Sequence, residues 1–180
     1  MWPLLLILIA VVFAVFVIYN SLIKLRVQAD AAWSDIDVQL KRRYDLIPNL
    51  VETVKGYASH ERGTLDSVIE ARSRAMMAQG PAAKAEAEGE LTGTLKSLFA
   101  LAESYPQLRS VESFTQLQGS LSQIEDAVQN ARRYYNAVVR DLNTKIHQFP
   151  SNLVARTFAF RDREFFETAE AERSAPRVSF

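Results

Sequence analysis

The stretch from Gln107 to Phe149 constrains the fold of this chain more than any other part of the sequence. Apolar or small residues recur in steps of three and four at Phe114, Leu117, Leu121, Ile124, Val128, Ala131, Tyr135, Val138 and Leu142. This spacing predicts a helix that packs lengthwise on another helix. Ended only by Pro150, such a helix would be about 60 Å long, and it requires a partner of similar length.

A second long helix with the same spacing is predicted just after an apolar N-terminal segment. Its inward positions are Trp33, Ile36, Leu40, Arg43, Ile47, Leu50, Val54 and Tyr57. Pro48 removes one backbone donor inside this helix and should bend it. Arg43 places a guanidinium in the packed face, where it requires an acidic partner. Antiparallel pairing predicts that this partner is Glu125, as an ion pair that sets the register or as part of a ligand or partner site.

Two shorter helices are predicted between the long ones. The first runs from about residue 61 to Gln79, with Ser59 as its N-cap, and the second from Ala82 to Glu103. Their predicted inward residues are Leu65, Ile69, Arg72 and Met76 in the first, and Leu91, Leu95, Leu98 and Ala102 in the second. Short links make neighbouring helices antiparallel. We therefore predict an all-α fold, with an N-terminal transmembrane helix followed by a long antiparallel helical bundle of two long and two shorter helices.

The N-terminal segment from Leu4 to Tyr19 is uncharged and almost wholly apolar. With its flanks it reaches about 20 residues, enough to cross the hydrocarbon core of a bilayer. A cleaved signal peptide would need a basic start and a small-residue cleavage site, so a retained anchor is the favoured interpretation. Ala10 and Ala14 form a small-xxx-small pair, a weak indication of helix pairing in the bilayer. Lys24 and Arg26 follow the anchor, which favours a cytoplasmic C-terminal domain and an external N-terminus.

We divide the chain into an anchor (residues 1–23), a helical bundle (24–149), and a short helix with a partly disordered tail (150–180). The short helix is predicted from Ser151 to Phe158, and the segment from Ala169 to Phe180 has no pattern. Near the membrane, the two shorter helices should leave the long pair uncovered, exposing Trp33, Ile36, Tyr134, Tyr135 and Val139. Either the tail folds back over this surface, or another subunit covers it. The aromatic residues of the tail either cap the base of the bundle or lie close to lipid headgroups.

Composition excludes several classes of function. The 21 basic and 21 acidic residues cancel, which argues against nucleic acid as a partner. There is no cysteine, and the two histidines, His60 and His147, lie far apart with no metal-binding spacing. We therefore predict no catalytic, cofactor-binding or metal-binding residues, and a protein that is not an enzyme.

Several blocks of sequence resemble the LemA family from the anchor to about Glu167. They are Trp33, the string Arg42-Arg43-Tyr44-Asp45-Leu46-Ile47-Pro48-Asn49-Leu50-Val51, Tyr105-Pro106, Glu125 followed by Tyr134-Tyr135-Asn136, Phe149-Pro150-Ser151-Asn152 and Phe165-Phe166-Glu167. The candidate structural or interaction residues, taken from the packing pattern and from these matches, are Trp33, Arg43, Pro48, Asn49, Glu125, Tyr135, Asn136 and Pro150.

The resemblance implies a single-pass protein of the bacterial inner membrane with a long-helix domain and no enzymatic activity or cofactor. One similar protein shapes inner-membrane invaginations, which favours, by analogy, a scaffold that organises membrane or partner proteins. Together with the uncovered helix pair, this predicts the lipid bilayer and further copies of the chain as partners. Family members are also associated with membrane-bound metalloproteases, so an adaptor or regulator of a membrane protease in envelope quality control is the alternative.

Overall fold

The computed structural model of the protein describes residues 2–167, and within this range it contains six helices and no strand. The helices are α1 (Trp2–Lys55), α2 (Arg62–Met77), α3 (Pro81–Glu103), α4 (Pro106–Arg109), α5 (Glu112–His147) and α6 (Ser151–Thr157). The all-α prediction is therefore confirmed. The N-terminal part of α1 is long and apolar enough to cross a membrane, and is a candidate membrane span. The tail predicted from Ala169 to Phe180 lies outside the described residues.

The boundaries of two helices differ from the prediction. The helix predicted to begin at Gln107 begins only at Glu112, because Pro106 starts the separate turn α4. That turn closes when the backbone N–H of Ser110 donates to the carbonyl of Gln107 at 3.2 Å. The N-cap of α2 is Glu61, which makes no side-chain capping bond, and not Ser59.

The chain divides into two compact units, and α1 and α5 each contribute to both. Among the described residues, the first unit contains residues 2–35 and the stretch Ala131–Phe165, and the second contains Ile36–Asn130 with Phe166 and Glu167. Each unit has a buried interior of its own.

In the first unit, α6 and the segment after it fold back on α1 and α5. An apolar cluster joins these elements through Leu22, Leu142, Ile146, Val154 and Ala155, and Phe160 packs against it. Of the residues expected to be uncovered in this unit, Tyr135 and Val139 are fully buried, Trp33 is half-buried, and Tyr134 is 54% exposed. The return of the chain after α5, one of the two alternatives, accounts for part of this cover.

In the second unit, α2 and α3 pack with the C-terminal part of α1 and the N-terminal part of α5. The residues of α3 predicted to face inward are all buried, and so is Ile36 of α1. The prediction for α2 is wrong for Ile69 and Met76, which are 47% and 49% exposed, whereas Leu65 is buried and Arg72 is half-buried. The helix instead turns small residues inward, namely Val68, Ala71 and Ala75. Small residues are needed there because the long side chains of Tyr44 and Lys84 both reach the carbonyl of Ala75.

Candidate functional site

Arg43 has the most buried charged side chain in the described part of the chain, with 3% of its surface exposed. Its Nη2 forms an ion pair with Glu125 Oε2 at 2.8 Å, the contact that the antiparallel register predicts. Its Nη1 donates to Glu88 Oε2, also at 2.8 Å, and Nη2 reaches Thr92 Oγ1 at 2.9 Å. Arg43 therefore links α1 to α3 by charge-assisted hydrogen bonds, the stronger kind, and to α5 by an ion pair.

Glu88 is the main partner that sequence reasoning missed. Glu88 lies in a stretch rich in alanine and glutamate. Its neighbours in the sequence do not distinguish it from Glu86 and Glu90, which are exposed. The signal was its spacing, because Glu88 extends the three-and-four pattern of Leu91, Leu95 and Leu98 by one step. A carboxylate on the packed face of α3 requires a buried cation from a neighbouring helix.

Two further buried polar side chains complete this cluster. The Tyr44 hydroxyl donates to Glu88 Oε1. Burial, and next the contact with the Glu88 carboxylate, hold the pKa of Tyr44 well above its usual value, so the hydroxyl stays protonated. The Lys84 ammonium donates to the Ala75 carbonyl at 3.0 Å and lies 5.7 Å from the centre of the Tyr44 ring. Two cations, Arg43 and Lys84, are thus balanced by two carboxylates, Glu88 and Glu125.

Pro48 has a structural consequence one turn earlier in α1. Because proline has no N–H, the carbonyl of Tyr44 lacks the donor that an α-helix would supply from position 48. The Nε of Arg72, from α2, donates to this carbonyl at 2.8 Å. Asn49 follows on the exposed side of α1, and its carbonyl accepts a bond from Thr53 Oγ1 at 2.8 Å. The proline therefore creates an acceptor that ties α2 to α1.

A cavity of about 450 Å³ lies beside this cluster within the second unit. Arg43 and Glu125 form part of its wall, and the remaining lining residues are Thr92, Leu95, Lys96, Phe99, Gln118, Leu121, Ser122 and Gln129. This volume falls within the range of small-molecule or side-chain binding pockets. The Glu125 carboxylate is one-third exposed, so it can accept a further hydrogen bond while it stays paired with Arg43.

In the first unit, Trp33 and Tyr135 meet with ring centres 5.5 Å apart. The Tyr135 hydroxyl donates to the carbonyl of Glu164 at 2.9 Å, and Arg163 forms an ion pair with Asp30. Burial raises the pKa of Tyr135. Burial by itself would lower the pKa of Arg163, but its bonds to Asp30 and Tyr135 raise it. These contacts hold the returning segment against both long helices.

The remaining candidate residues belong to the same unit. Asn136 is half-buried on α5, and Pro150 is exposed immediately before α6. After α5, His147 and Asp162 form an exposed pair at 2.9 Å. They line a second cavity, of about 320 Å³, with Ile146, Asn152, Arg156, Phe160 and Arg161.

Within residues 2–167 no group of three or more histidine or acidic side chains is placed to hold a metal ion. The buried carboxylate and the buried hydroxyl of the second unit bond to one another. The buried charges around Arg43 fix the rotation and register of the helices, and Arg43 and Glu125 line one side of the adjacent cavity.

The comparisons with known proteins agree with this architecture. The LemA family model matches residues 32–180. Magnetosome protein MamQ 2 from Paramagnetospirillum magneticum is 25% identical over 179 residues, covering 85% of this chain and 66% of that protein. MamQ from Magnetospirillum gryphiswaldense is 26% identical with the same coverage. Protein LemA from Metamycoplasma hominis is 25% identical over 155 residues, covering 86% of this chain and 71% of that protein.

The chain spans 66% of the length of these magnetosome relatives, just under two thirds. The family model covers far more than half of the chain, including every candidate residue from Trp33 to Pro150. The candidate span at the N-terminus fits a membrane-associated protein. On these grounds, the chain belongs to the LemA family.

Proposed function

We propose that this chain is a non-enzymatic scaffold, anchored in the bacterial inner membrane by a single span, that organises membrane or partner proteins. The observation that carries the proposal is the continuity of α1, which runs without a break from the exposed apolar residues at Trp2 to Lys55. One continuous helix therefore contains both the anchor and Arg43. Relatives named as magnetosome proteins favour an organising role by analogy.

The proposal places the helical domain in the cytoplasm, because Lys24 and Arg26 follow the span and are exposed. The chain has no cysteine, so single cysteines report sidedness cleanly. In intact cells, Met77→Cys, at a 79% exposed position, should react with a membrane-impermeant maleimide only after permeabilisation. Trp2→Cys should react without it. The reverse pattern would refute the cytoplasmic placement.

The scaffold is proposed to self-associate through the span. Ala10 and Ala14 are exposed one turn apart, and small residues at this spacing allow close helix approach in lipid. Light scattering in mild detergent should give a multiple of the chain mass. Ala10→Ile with Ala14→Ile should shift the protein toward monomer, whereas Val12→Ile on another face of the helix should not. A monomer in all cases would remove self-association from the proposal.

The cavity beside Arg43 supports the alternative function, an adaptor or regulator of a membrane protease. It is lined by the apolar side chains of Leu95, Phe99 and Leu121 and by the one-third exposed Glu125, and such a surface can receive a side chain from a partner. A photo-crosslinking residue at Lys96 in the cavity wall should capture a membrane protease in native membranes. The same residue at Lys41, which is exposed and not part of the cavity wall, is the control. Capture of other copies of the chain alone would favour the scaffold.

A further inference from the structure

The position of α6 is set by the last turns of the candidate span. Val15, Ile18 and Tyr19 pack against the cluster that contains Val154 and Ala155 of α6. A bilayer core takes up about 20 helical residues, so a span that starts near Trp2 is still in or beside the hydrocarbon at Tyr19. Residues of α6 that touch these side chains therefore lie at the boundary between hydrocarbon and headgroups.

Three large apolar side chains are exposed at this level, one before α6, one in it and one directly after it. Phe149, Leu153 and Phe158 are 75%, 56% and 50% exposed, although large apolar side chains are usually buried. The Phe158 ring also lies 4.7 Å from the ring of Tyr19, at the end of the span. The exposed Phe158 therefore lies next to the end of the span.

Charge around this surface is mainly positive, although the whole chain is neutral. Residues 16–29 and 142–162 contain five basic side chains, Lys24, Arg26, Lys145, Arg156 and Arg161. They contain one acidic side chain, Asp162, which is paired with His147. Among the residues that the structure describes, none of the five cations has an ion-pair partner. Basic residues beside a membrane interface attract anionic lipid headgroups.

We propose that Phe149, Leu153 and Phe158, with the cations Lys145, Arg156 and Arg161, form a lipid-docking surface that binds the anionic leaflet from which the span emerges. The aromatic and aliphatic side chains enter the interface, and the cations contact headgroup phosphates. Arg156 and Arg161 line the same cavity of about 320 Å³, together with Asp162, whose carboxylate is paired with His147, so the cavity offers a phosphate two cations to contact. This inference rests on the membrane anchor of the proposed function, and it adds a second contact with the same bilayer.

Tryptophan quenching by lipids brominated in the acyl chains tests the docking surface in the full-length chain. The background variant carries Trp2→Phe and Trp33→Phe, and its helicity is checked by circular dichroism. Leu153→Trp reports the docking surface, and Phe13→Trp reports the span. Tyr134→Trp is the matched control, since Tyr134 is 54% exposed on α5 but lies about 20 Å before its end.

In vesicles of phosphatidylcholine and phosphatidylglycerol, we expect brominated lipid to quench Phe13→Trp and Leu153→Trp but not Tyr134→Trp. Quenching of Phe13→Trp without Leu153→Trp would overturn the docking surface and leave the anchor intact. No quenching of Phe13→Trp would overturn the anchor, and the docking surface with it. A blue-shifted but unquenched Leu153→Trp would show that protein, such as a second copy, covers the surface, which also overturns the proposal.

The anionic preference is tested in the same system. Replacing phosphatidylglycerol by phosphatidylcholine should weaken the quenching of Leu153→Trp while that of Phe13→Trp is unchanged. Arg156→Gln with Arg161→Gln should act in the same direction, shifting docking roughly 30-fold toward the undocked state. Lys41→Gln with Arg42→Gln removes as many cations from exposed positions in the second unit and should have no effect. Equal quenching in both lipid mixtures would overturn the charge component.

Discussion

The two units of this protein pack the same two long helices around interiors of opposite character. The second unit buries Arg43, Lys84 and Glu88 among its apolar residues. The first unit surrounds its apolar cluster with side chains that bond to backbone groups, chiefly Asn143 and Tyr135. Apolar contacts are non-directional and tolerate small shifts between helices, whereas each buried charge requires one partner at one distance. The ionic interior of the second unit therefore specifies helix register more strictly than the apolar cluster of the first unit does. Mutation of one buried charge should also destabilise the fold more than mutation of one apolar contact.

The largest effect should come from removing one member of the ionic interior. Glu88→Ala leaves the Tyr44 hydroxyl with only the Ala75 carbonyl, at 3.3 Å, as acceptor, and it leaves Arg43 with the partly exposed Glu125 as its remaining carboxylate. Loss of one partner of a buried pair typically costs about 3–5 kcal/mol. Urea unfolding of the chain in mild detergent, followed by circular dichroism, should show this loss.

Matched variants separate the ionic contribution from simple packing. Lys41→Ala breaks a pair with Asp45 that is exposed on both sides, and should change stability by about 0–1 kcal/mol. Arg43→Leu with Glu88→Leu removes the buried Arg43–Glu88 ion pair as a whole and should recover most of the stability lost in Glu88→Ala. If Glu88→Ala is as mild as Lys41→Ala, the second unit does not depend on its buried ions.

A smaller and more local effect is expected in the first unit. The Asn143 side chain bonds twice to Arg163, donating to its carbonyl and accepting from its N–H, each at 2.9 Å. Asn143→Leu leaves these two backbone groups unpaired, at a cost of about 1–3 kcal/mol. Hydrogen exchange should accelerate in residues 160–165 and stay unchanged in α2 and α3. Thr144→Leu, at the exposed neighbouring position, is the control. Faster exchange throughout the chain would contradict a local role.

This contrast also explains which parts could be predicted from the sequence. The faces of α1, α3 and α5 follow from three-and-four spacing, which is a local pattern, and the Arg43–Glu125 contact follows from antiparallel register. The face of α2 that packs inward could not be predicted, because hydrophobicity alone places Ile69 and Met76 in the interior and not Ala71 and Ala75. Only the space taken by Tyr44 and Lys84 makes small residues necessary there. The return after α6 is held through backbone groups, which leave no pattern in the sequence.

The junction of α2 with α1 allows a third test. Arg72→Met removes the donor to the Tyr44 carbonyl, the group that Pro48 leaves without a helical partner. We expect a loss of about 1–2 kcal/mol. Pro48→Ala restores an N–H at the missing position, so it should offset part of the loss in the Arg72→Met background. Arg62→Met, exposed on the same helix, is the control. Additive effects of the two substitutions would contradict a shared carbonyl.

The smallest effect is a dependence on alkaline pH, and it compares one tyrosine from each unit. The pKa values of Tyr44 and Tyr135 are both raised in the folded chain, so their contribution to stability is present below pH 10.0 and is lost as the pH rises above it. Each tyrosine contributes a loss of at most about 1.4 kcal/mol per pH unit in that window. The Glu88 carboxylate adds to the effect of burial at Tyr44, whereas Arg163 opposes it at Tyr135. Between pH 10 and 11, Tyr44→Phe should therefore reduce the slope of unfolding free energy against pH more than Tyr135→Phe does. Equal slopes in the two variants would mean that the Glu88 carboxylate does not raise the pKa of Tyr44 beyond the effect of burial. The two units would then differ less than their contacts indicate.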